Sequence, residues 1–108
     1  MPLNKPSRNT DYDSIKESST DEERLDIVFK VLLKAYTPIW LDYAKLRIPF
    51  NKEKLFNAKL RSTELVSERP SHGAYNPEFS LNERGFLILD KHGSYLNYIK
   101  YIKDQEPE

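Results

Sequence analysis

Basic side chains are concentrated in the segment from Trp40 to Ser62. This segment contains six Lys and Arg residues and two acidic ones, whereas the whole chain of 108 residues carries 17 of each sign. Lys and Arg make the charged hydrogen bonds that hold a protein on phosphate groups, and amide and guanidinium groups also read base edges. The alternative is a solvated helix face, which is common for Lys-rich helices. The candidate residues are Lys45, Arg47, Lys52, Lys54, Asn57, Lys59 and Arg61.

The sequence contains no constellation typical of catalysis. His72 and His92 are 20 residues apart and lie beside predicted turns, which is not a metal-ligand spacing. No glycine-rich phosphate loop or nucleophile elbow is present. The chain has no cysteine, which excludes disulfides, thiolate catalysis and cysteine-ligated zinc. We therefore expect a protein that is not an enzyme and that needs no metal or cofactor.

Composition bounds the size of the core. Hydrophobic residues make up 38% of the chain, which is low for a fully packed domain, so we expect one domain with tails. The polar composition of residues 1–19 predicts a disordered N-terminal arm. We expect residues 20–103 to form a single domain and residues 104–108 to form an acidic tail. No apolar run approaches the roughly 20 residues that span a bilayer, and the first ten residues lack a signal-peptide core. We expect a soluble cytoplasmic protein that does not bind membranes.

Helical spacing dominates the first part of the domain. Thr20 and Glu23 have the spacing of a capping box, and the apolar residues that follow predict a helix over 21–36. Thr37-Pro38 ends this helix, and a second, shorter helix is predicted over 38–47 with Trp40 as a packing residue. After a turn at 48–51, Asn51 is a good N-cap for a third helix over about 52–63.

A hairpin and two helices are predicted for the rest of the domain. Segments 64–69 and 75–81 are the candidate strands, and the residues between them at 70–73 are typical of a turn. Asn82 is placed to cap a helix over 83–91, and Gly93 suits the position just after its end. A last helical segment follows over 95–103.

This order of elements resembles the winged helix-turn-helix family. The closest local resemblance is F-S-L-N-E-R-G-F, from Phe79 to Phe86, which is similar to the step at which a wing strand re-enters a helix. In that step Leu81 is the last core residue of the strand. Asn82 takes the helix-cap position usually held by Thr, and Gly85 takes the position that the family fills with a small residue. Gly93-Ser94-Tyr95 is similar to a glycine-aromatic step in small proteins of this type. The expected fold class is α+β, mostly α, with a two-stranded wing.

The resemblance implies a DNA-binding role for the basic segment. The helix over 52–63 corresponds to the recognition helix, where Lys and Arg contact phosphates and Asn57 or Arg61 reaches base edges. Lys45 and Arg47 then position the backbone. The sequence departs from the family pattern at two places. Pro77 falls in the expected wing strand, so we expect that strand to be an edge strand or to begin after Pro77. The turn at 70–73 has only His72 as a basic residue, which opposes a wing–phosphate contact. We expect a small protein that binds double-stranded DNA, with transcriptional regulation as its use.

The alternative is a protein-interaction or assembly module. The last helix is apolar on most sides, and a helix of that kind requires partners on most sides. One face would pack on the domain and the other would form a homodimer. The residues predicted for this oligomer interface are Tyr95, Tyr98, Ile99 and Ile102.

Overall fold

The computed structural model describes residues 10–35, 37–70, 73 and 75–105. This part of the chain is α+β and mostly helical, with four α-helices and one antiparallel pair of strands. None of these helices is long and apolar enough to cross a membrane. The elements are α1 (Asp21–Lys34), α2 (Glu53–Ser62), β1 (Val66–Arg69), β2 (Glu78–Leu81), α3 (Glu83–His92) and α4 (Tyr95–Gln105).

The central helix α1 begins at the predicted capping box. The Glu23 backbone N–H donates to the Thr20 hydroxyl at 3.1 Å, and the Thr20 N–H donates to the Glu23 carboxylate at 2.8 Å. Val28, Phe29 and Leu32 are fully buried and form the middle of the core. The helix ends two residues earlier than predicted because Ala35 is extended.

The predicted helix over 38–47 is wrong. Ile39 is extended and exchanges two backbone hydrogen bonds with Phe79, of 2.9 and 2.8 Å. Only one helical turn forms after it, closed by the bond from Leu46 N–H to the Asp42 carbonyl at 3.0 Å. Arg47 then adopts a left-handed conformation with a φ of 58°, which ends the turn.

The hairpin lies on the same core. β1 and β2 pair antiparallel with Val66 opposite Leu81 and Arg69 opposite Glu78. Ile39 bonds to Phe79 on the other edge of β2, so this strand has backbone partners on both sides. Pro77 directly precedes β2 and needs no ladder N–H there, which confirms that the strand begins after it.

The step from hairpin to α3 follows the prediction. The Asn82 side chain accepts from the Gly85 N–H at 2.8 Å, which confirms the cap, and Gly93 with a φ of 87° ends the helix. Gly85 packs directly on the backbone of Leu65. A Cβ at position 85 would overlap the Leu65 carbonyl oxygen, so only glycine allows this approach.

The ordered domain starts well before the predicted boundary. Thr10–Ser14 form a 3₁₀ helix, and the side chains of Tyr12 and Ile15 lie in the core. The prediction of a disordered arm is therefore wrong for residues 10–19, and residues 1–9 lie outside the described part. At the other end α4 continues to Gln105, while 106–108 of the predicted acidic tail are also outside it.

A buried carboxylate docks α4 on α1. Asp26 is 5% exposed, and its side chain accepts from the Leu96 N–H at 3.2 Å in the first turn of α4. The rings of Phe29 and Tyr95 lie beside this contact, with centroids 4.8 Å apart. The start of α4 is thus fixed by one polar and one aromatic contact.

Candidate nucleic-acid interface

The helix α2 presents a mixed surface to solvent. Its inner face packs Phe56 and Leu60 into the core. A 3₁₀ turn, Phe50–Lys52, precedes it, so the predicted cap Asn51 lies inside that turn. Lys52 takes the N-cap position with no side-chain cap bond among the described residues. The exposed residues of the helix are Lys54, Leu55, Ala58, Lys59, Arg61 and Ser62.

Three of the predicted lysines have no carboxylate partner in the part of the chain that the structure describes. These are Lys45, Lys52 and Lys54, and all three are exposed. Lys45 lies on the single turn before α2, and Lys52 and Lys54 lie at the start of α2. The Lys54 ammonium sits 4.8 Å from the centre of the Tyr75 ring. These three ammonium groups are available to anions.

The other three predicted cations are held by carboxylates. Arg47 pairs with Glu17 at 3.1 Å, and Lys59 pairs with Asp21. Arg61 makes two bonds to Glu68 on β1, of 2.7 and 3.0 Å. All three cations are about half exposed. Exposed single pairs such as those of Arg47 and Lys59 are weak, about 0.2–1 kcal/mol each, and the two-bond pair of Arg61 is the strongest of the three. A phosphate can therefore replace these carboxylates at low energetic cost.

A cleft of about 330 Å³ separates α2 from the start of α1. Its charged lining contains four cations and two carboxylates, so it carries a net positive charge. Pro49, Leu55 and Phe56 supply the apolar part of its wall. The charged residues of the lining are Glu17, Asp21, Arg24, Arg47, Lys52 and Lys59.

Arg24 is the polar residue of this region that the sequence analysis missed. Its side chain is 9% exposed, and its guanidinium donates to three backbone carbonyls: Leu46 at 2.7 Å, Lys16 at 3.4 Å, and Ser19. It thereby fastens the N-terminal segment and the turn before α2 onto α1. The available signal was its spacing, because Arg24 lies one turn before the buried Val28 on the same helix face.

Asn57 does not reach solvent, so the prediction that it contacts base edges is wrong. It is 2% exposed, and both ends of its amide are used. Its oxygen accepts from the Tyr43 hydroxyl at 2.6 Å, and its nitrogen donates to the Asn76 side chain at 2.9 Å. Asn76 in turn donates to the Glu53 carboxylate at 2.8 Å. The amide ties the hairpin loop to α2 instead.

The direction of this hydrogen-bond chain follows from Glu53. An ionised carboxylate only accepts, so the Asn76 nitrogen faces Glu53 and the amide oxygens face the other way along the chain. Tyr43 donates at the far end. Burial raises the pKa of the Tyr43 phenol to about 12, and the hydrogen bond with Asn57 opposes that rise only in part.

Aromatic rings border the start of α2. The Phe50 and Tyr75 rings lie 4.9 Å apart and remain 65% and 55% exposed. Since Tyr75 belongs to the hairpin loop, the loop folds back over the beginning of α2. His72, the one basic residue expected in the wing turn, lies outside the described residues.

The predicted oligomer interface faces the protein's own core. Tyr95 is 6% exposed and belongs to the core, and Tyr98 and Ile99 pack against it. Ile102 is half-buried on the same side of α4. The prediction is therefore wrong for Tyr95, and Tyr95, Tyr98 and Ile99 form the face by which α4 packs on the core. Trp40, predicted as a packing residue, is 56% exposed.

Searches of protein-family models, of curated proteins and of solved structures found no match to this chain. Within residues 10–35, 37–70, 73 and 75–105, no group of three or more His, Asp or Glu side chains is placed to hold a metal ion. The assignment of function therefore depends on the surface around α2.

Proposed function

We propose that this protein is a winged-helix protein that binds double-stranded DNA through α2. The observation that carries the proposal is the trio Lys45, Lys52 and Lys54, which surrounds the start of α2 without carboxylate partners in the described part. Phosphate contacts from such lysines supply most of the affinity of a protein for DNA.

The backbone arrangement supports the same proposal. α1, a single turn, α2 and a hairpin share one core, and the Ile39–Phe79 bridge joins the segment after α1 to that hairpin. The turn at 42–47 takes the place of the first helix of the helix-turn-helix. α2 is then the element that lies in the major groove, with its exposed face towards the bases.

The residues assigned to the interface differ in role. Lys45, Lys52 and Lys54 contact phosphates directly. Arg47, Lys59 and Arg61 join them by exchanging a carboxylate for a phosphate. Leu55 and Ala58 on the exposed face of α2 offer apolar contact to a thymine methyl group. Asn57 has a structural role and is not part of the interface.

The test is fluorescence anisotropy with a labelled mixed-sequence duplex at low and at near-physiological salt. Lys52→Gln/Lys54→Gln is expected to weaken binding by about tenfold, equivalent to about 1.4 kcal/mol. The salt slope should fall by about 0.9 for each lost phosphate contact. Lys100→Gln/Lys103→Gln removes the same charge from α4 and should leave affinity within about twofold, since neither lysine belongs to the surface around α2.

A second function, docking of a protein partner, is favoured by one observation. Phe50, Leu55 and Tyr75 expose apolar surface around the start of α2. No duplex binding at low salt would reject the DNA proposal and direct the search to an apolar partner for this surface. Binding that does not weaken with salt would also contradict phosphate contact as its basis.

A further inference from the structure

The outer face of α3 exposes a large apolar side chain. Gly85 and Leu89 face the core, whereas Leu87 is 63% exposed at the middle of the opposite face. Phe86 beside it is 46% exposed. An exposed Leu alone is common, so the charges around it decide what the face is for.

The charges on this face are separated into two edges. At about 100° per residue, Glu83 and Asp90 fall on one side of Leu87, and Arg84 and Lys91 fall on the other. All four side chains are exposed. The face therefore consists of an acidic edge (Glu83, Asp90), a central leucine and a basic edge (Arg84, Lys91).

We infer that this face binds a second copy of the chain, with the two α3 helices side by side and parallel. A twofold axis along the helices places Leu87 against its equivalent in the partner. It also places the acidic edge of each helix against the basic edge of the other. Charged flanks around an apolar centre set partner choice and orientation in paired helices in this way.

The opposite orientation brings like charges together. In an antiparallel pair the twofold axis crosses the helices and sets each edge against the same edge of the partner. The acidic edges would then meet along one side and the basic edges along the other. Because like charges in contact oppose association, the charge pattern selects the parallel pair.

Contacts within the chain leave these groups available. Arg84 pairs with Glu64 at 3.2 Å, but both side chains are more than half exposed. Lys91 lies 6.0 Å from the centre of the Tyr101 ring. Exposed contacts of this kind are weak and exchange readily. Since α3 is only about 15 Å long, the paired surface is small and the dimer is expected to be reversible and concentration-dependent.

The first measurement is sedimentation equilibrium of the full chain over a wide concentration range, without DNA, so its outcome is independent of the proposed function. The wild-type protein is expected to dimerise reversibly. Leu87→Asp should remain a monomer throughout, because it places two carboxylates at the axis. A wild-type protein that stays monomeric at its highest concentration, or an unaffected Leu87→Asp variant, would overturn the inference.

The second measurement uses Arg84→Glu/Asp90→Lys, which keeps the composition of charges and their sum. Each edge then carries one acidic and one basic residue. In a parallel pair, acidic residues of the two helices meet at the N-terminal end and basic residues meet at the C-terminal end. The variant also puts acidic residues in the first turn of α3 and basic ones in the last, which favours the helix. Dimerisation should weaken by tenfold or more without loss of folding. Unchanged association would contradict the parallel pair, and tighter association would show that the variant pairs antiparallel, the orientation in which its edges are complementary.

The third measurement mixes two variants that should not self-associate. Glu83→Lys/Asp90→Lys makes both edges basic, and Arg84→Glu/Lys91→Glu makes both edges acidic. Each alone is expected to be monomeric, while the mixture should form a one-to-one heterodimer in native mass spectrometry. Failure of the folded variants to combine would contradict the proposal, because their edges are fully complementary.

Discussion

On the side of α2 that faces the start of α1, Lys59 makes a charged contact, whereas on the side that faces the hairpin loop the buried Asn57 makes a neutral one. The α1 side has the pair of Lys59 with Asp21, and the pair of Arg47 with Glu17 borders the same cleft between the turn before α2 and the segment before α1. The loop side has the bond between Asn57 and Asn76. Both contacts hold the same helix, but salt weakens the charged contact and not the neutral one.

The difference is between contacts that a dissolved anion can replace and contacts that it cannot. Exposed ion pairs lose strength in salt and accept a phosphate in place of a carboxylate. Buried amide bonds have no competitor in the solvent, so they hold the loop against α2 under the same conditions. The exception on the α1 side is Arg24, whose charge is buried and whose partners are carbonyl groups.

The largest effect is expected for Arg24→Met. The change removes all three hydrogen bonds to buried or partly buried carbonyls, so the free energy of unfolding should fall by about 3–5 kcal/mol. Urea unfolding followed by circular dichroism measures the loss. Arg84→Met removes an exposed arginine with one ion pair and should cost less than about 1 kcal/mol. Equal losses in the two variants would show that Arg24 is not a tether.

A smaller effect is expected at high pH. The pKa of Tyr43 is raised to about 12, so the unfolded chain loses the phenol proton first and ionisation opposes folding. The contribution of Tyr43 is complete below pH about 10 and is lost as the pH rises to about 12, a change of roughly 2–3 kcal/mol. Burial raises the pKa values of Tyr12 and Tyr95 in the same direction.

Urea unfolding across this pH range measures the loss, and phenolate absorbance reports the ionisation. Tyr43→Phe should flatten the pH dependence while lowering stability at neutral pH, since the Asn57 oxygen then lacks its donor. A wild-type free energy of unfolding that stays constant up to pH about 12 would be inconsistent with a buried phenol.

Asn57→Ala is expected to cost about 2 kcal/mol, because it leaves the Tyr43 hydroxyl and the Asn76 oxygen without partners. The loss should be the same at low and high salt, as the contacts are neutral. Ser62→Ala changes an exposed polar residue of the same helix and should cost under about 0.5 kcal/mol. A strongly salt-dependent loss for Asn57→Ala would remove the distinction between the two sides of α2.

The smallest change in stability is expected for Asp21→Asn, which releases Lys59. Stability should shift by less than about 0.5 kcal/mol, and duplex affinity should rise by roughly threefold at low salt. Glu22→Gln is the matched control, since it removes one charge from the same turn but its partner is Lys103 on α4. If both variants raise affinity equally, the gain reflects net charge alone and not the release of Lys59.

The elements with local signals were predictable from sequence. The capping box at Thr20 and the cap at Asn82 involve bonds between residues three apart, which the sequence contains in full. The hairpin was predictable because Phe79 and Leu81 alternate with polar residues. Such signals do not depend on the rest of the fold.

The predictions were wrong where contacts between residues distant in the sequence determine the local conformation. Ile39 is extended because it bonds to Phe79, which is 40 residues away in the chain, and this contact overrides the helical pattern after Pro38. Asn57 lies on α2 among basic residues, and it points inwards because it bonds to Tyr43 and Asn76, which are distant in the sequence. All four lysines of the candidate interface are exposed, as a solvated basic segment implies.

Gly85 has a consequence for how this sequence can change over evolutionary time. The backbone of α3 lies so close to Leu65 that any side chain at position 85 would separate the helix from the hairpin. Substitution of a surface lysine therefore leaves the packing of α3 on the hairpin intact, whereas substitution of this residue does not. In a library of all single substitutions, position 85 should tolerate only the original residue, and chains that share this fold should keep the asparagine–glycine spacing of Asn82 and Gly85 after their overall identity has been lost.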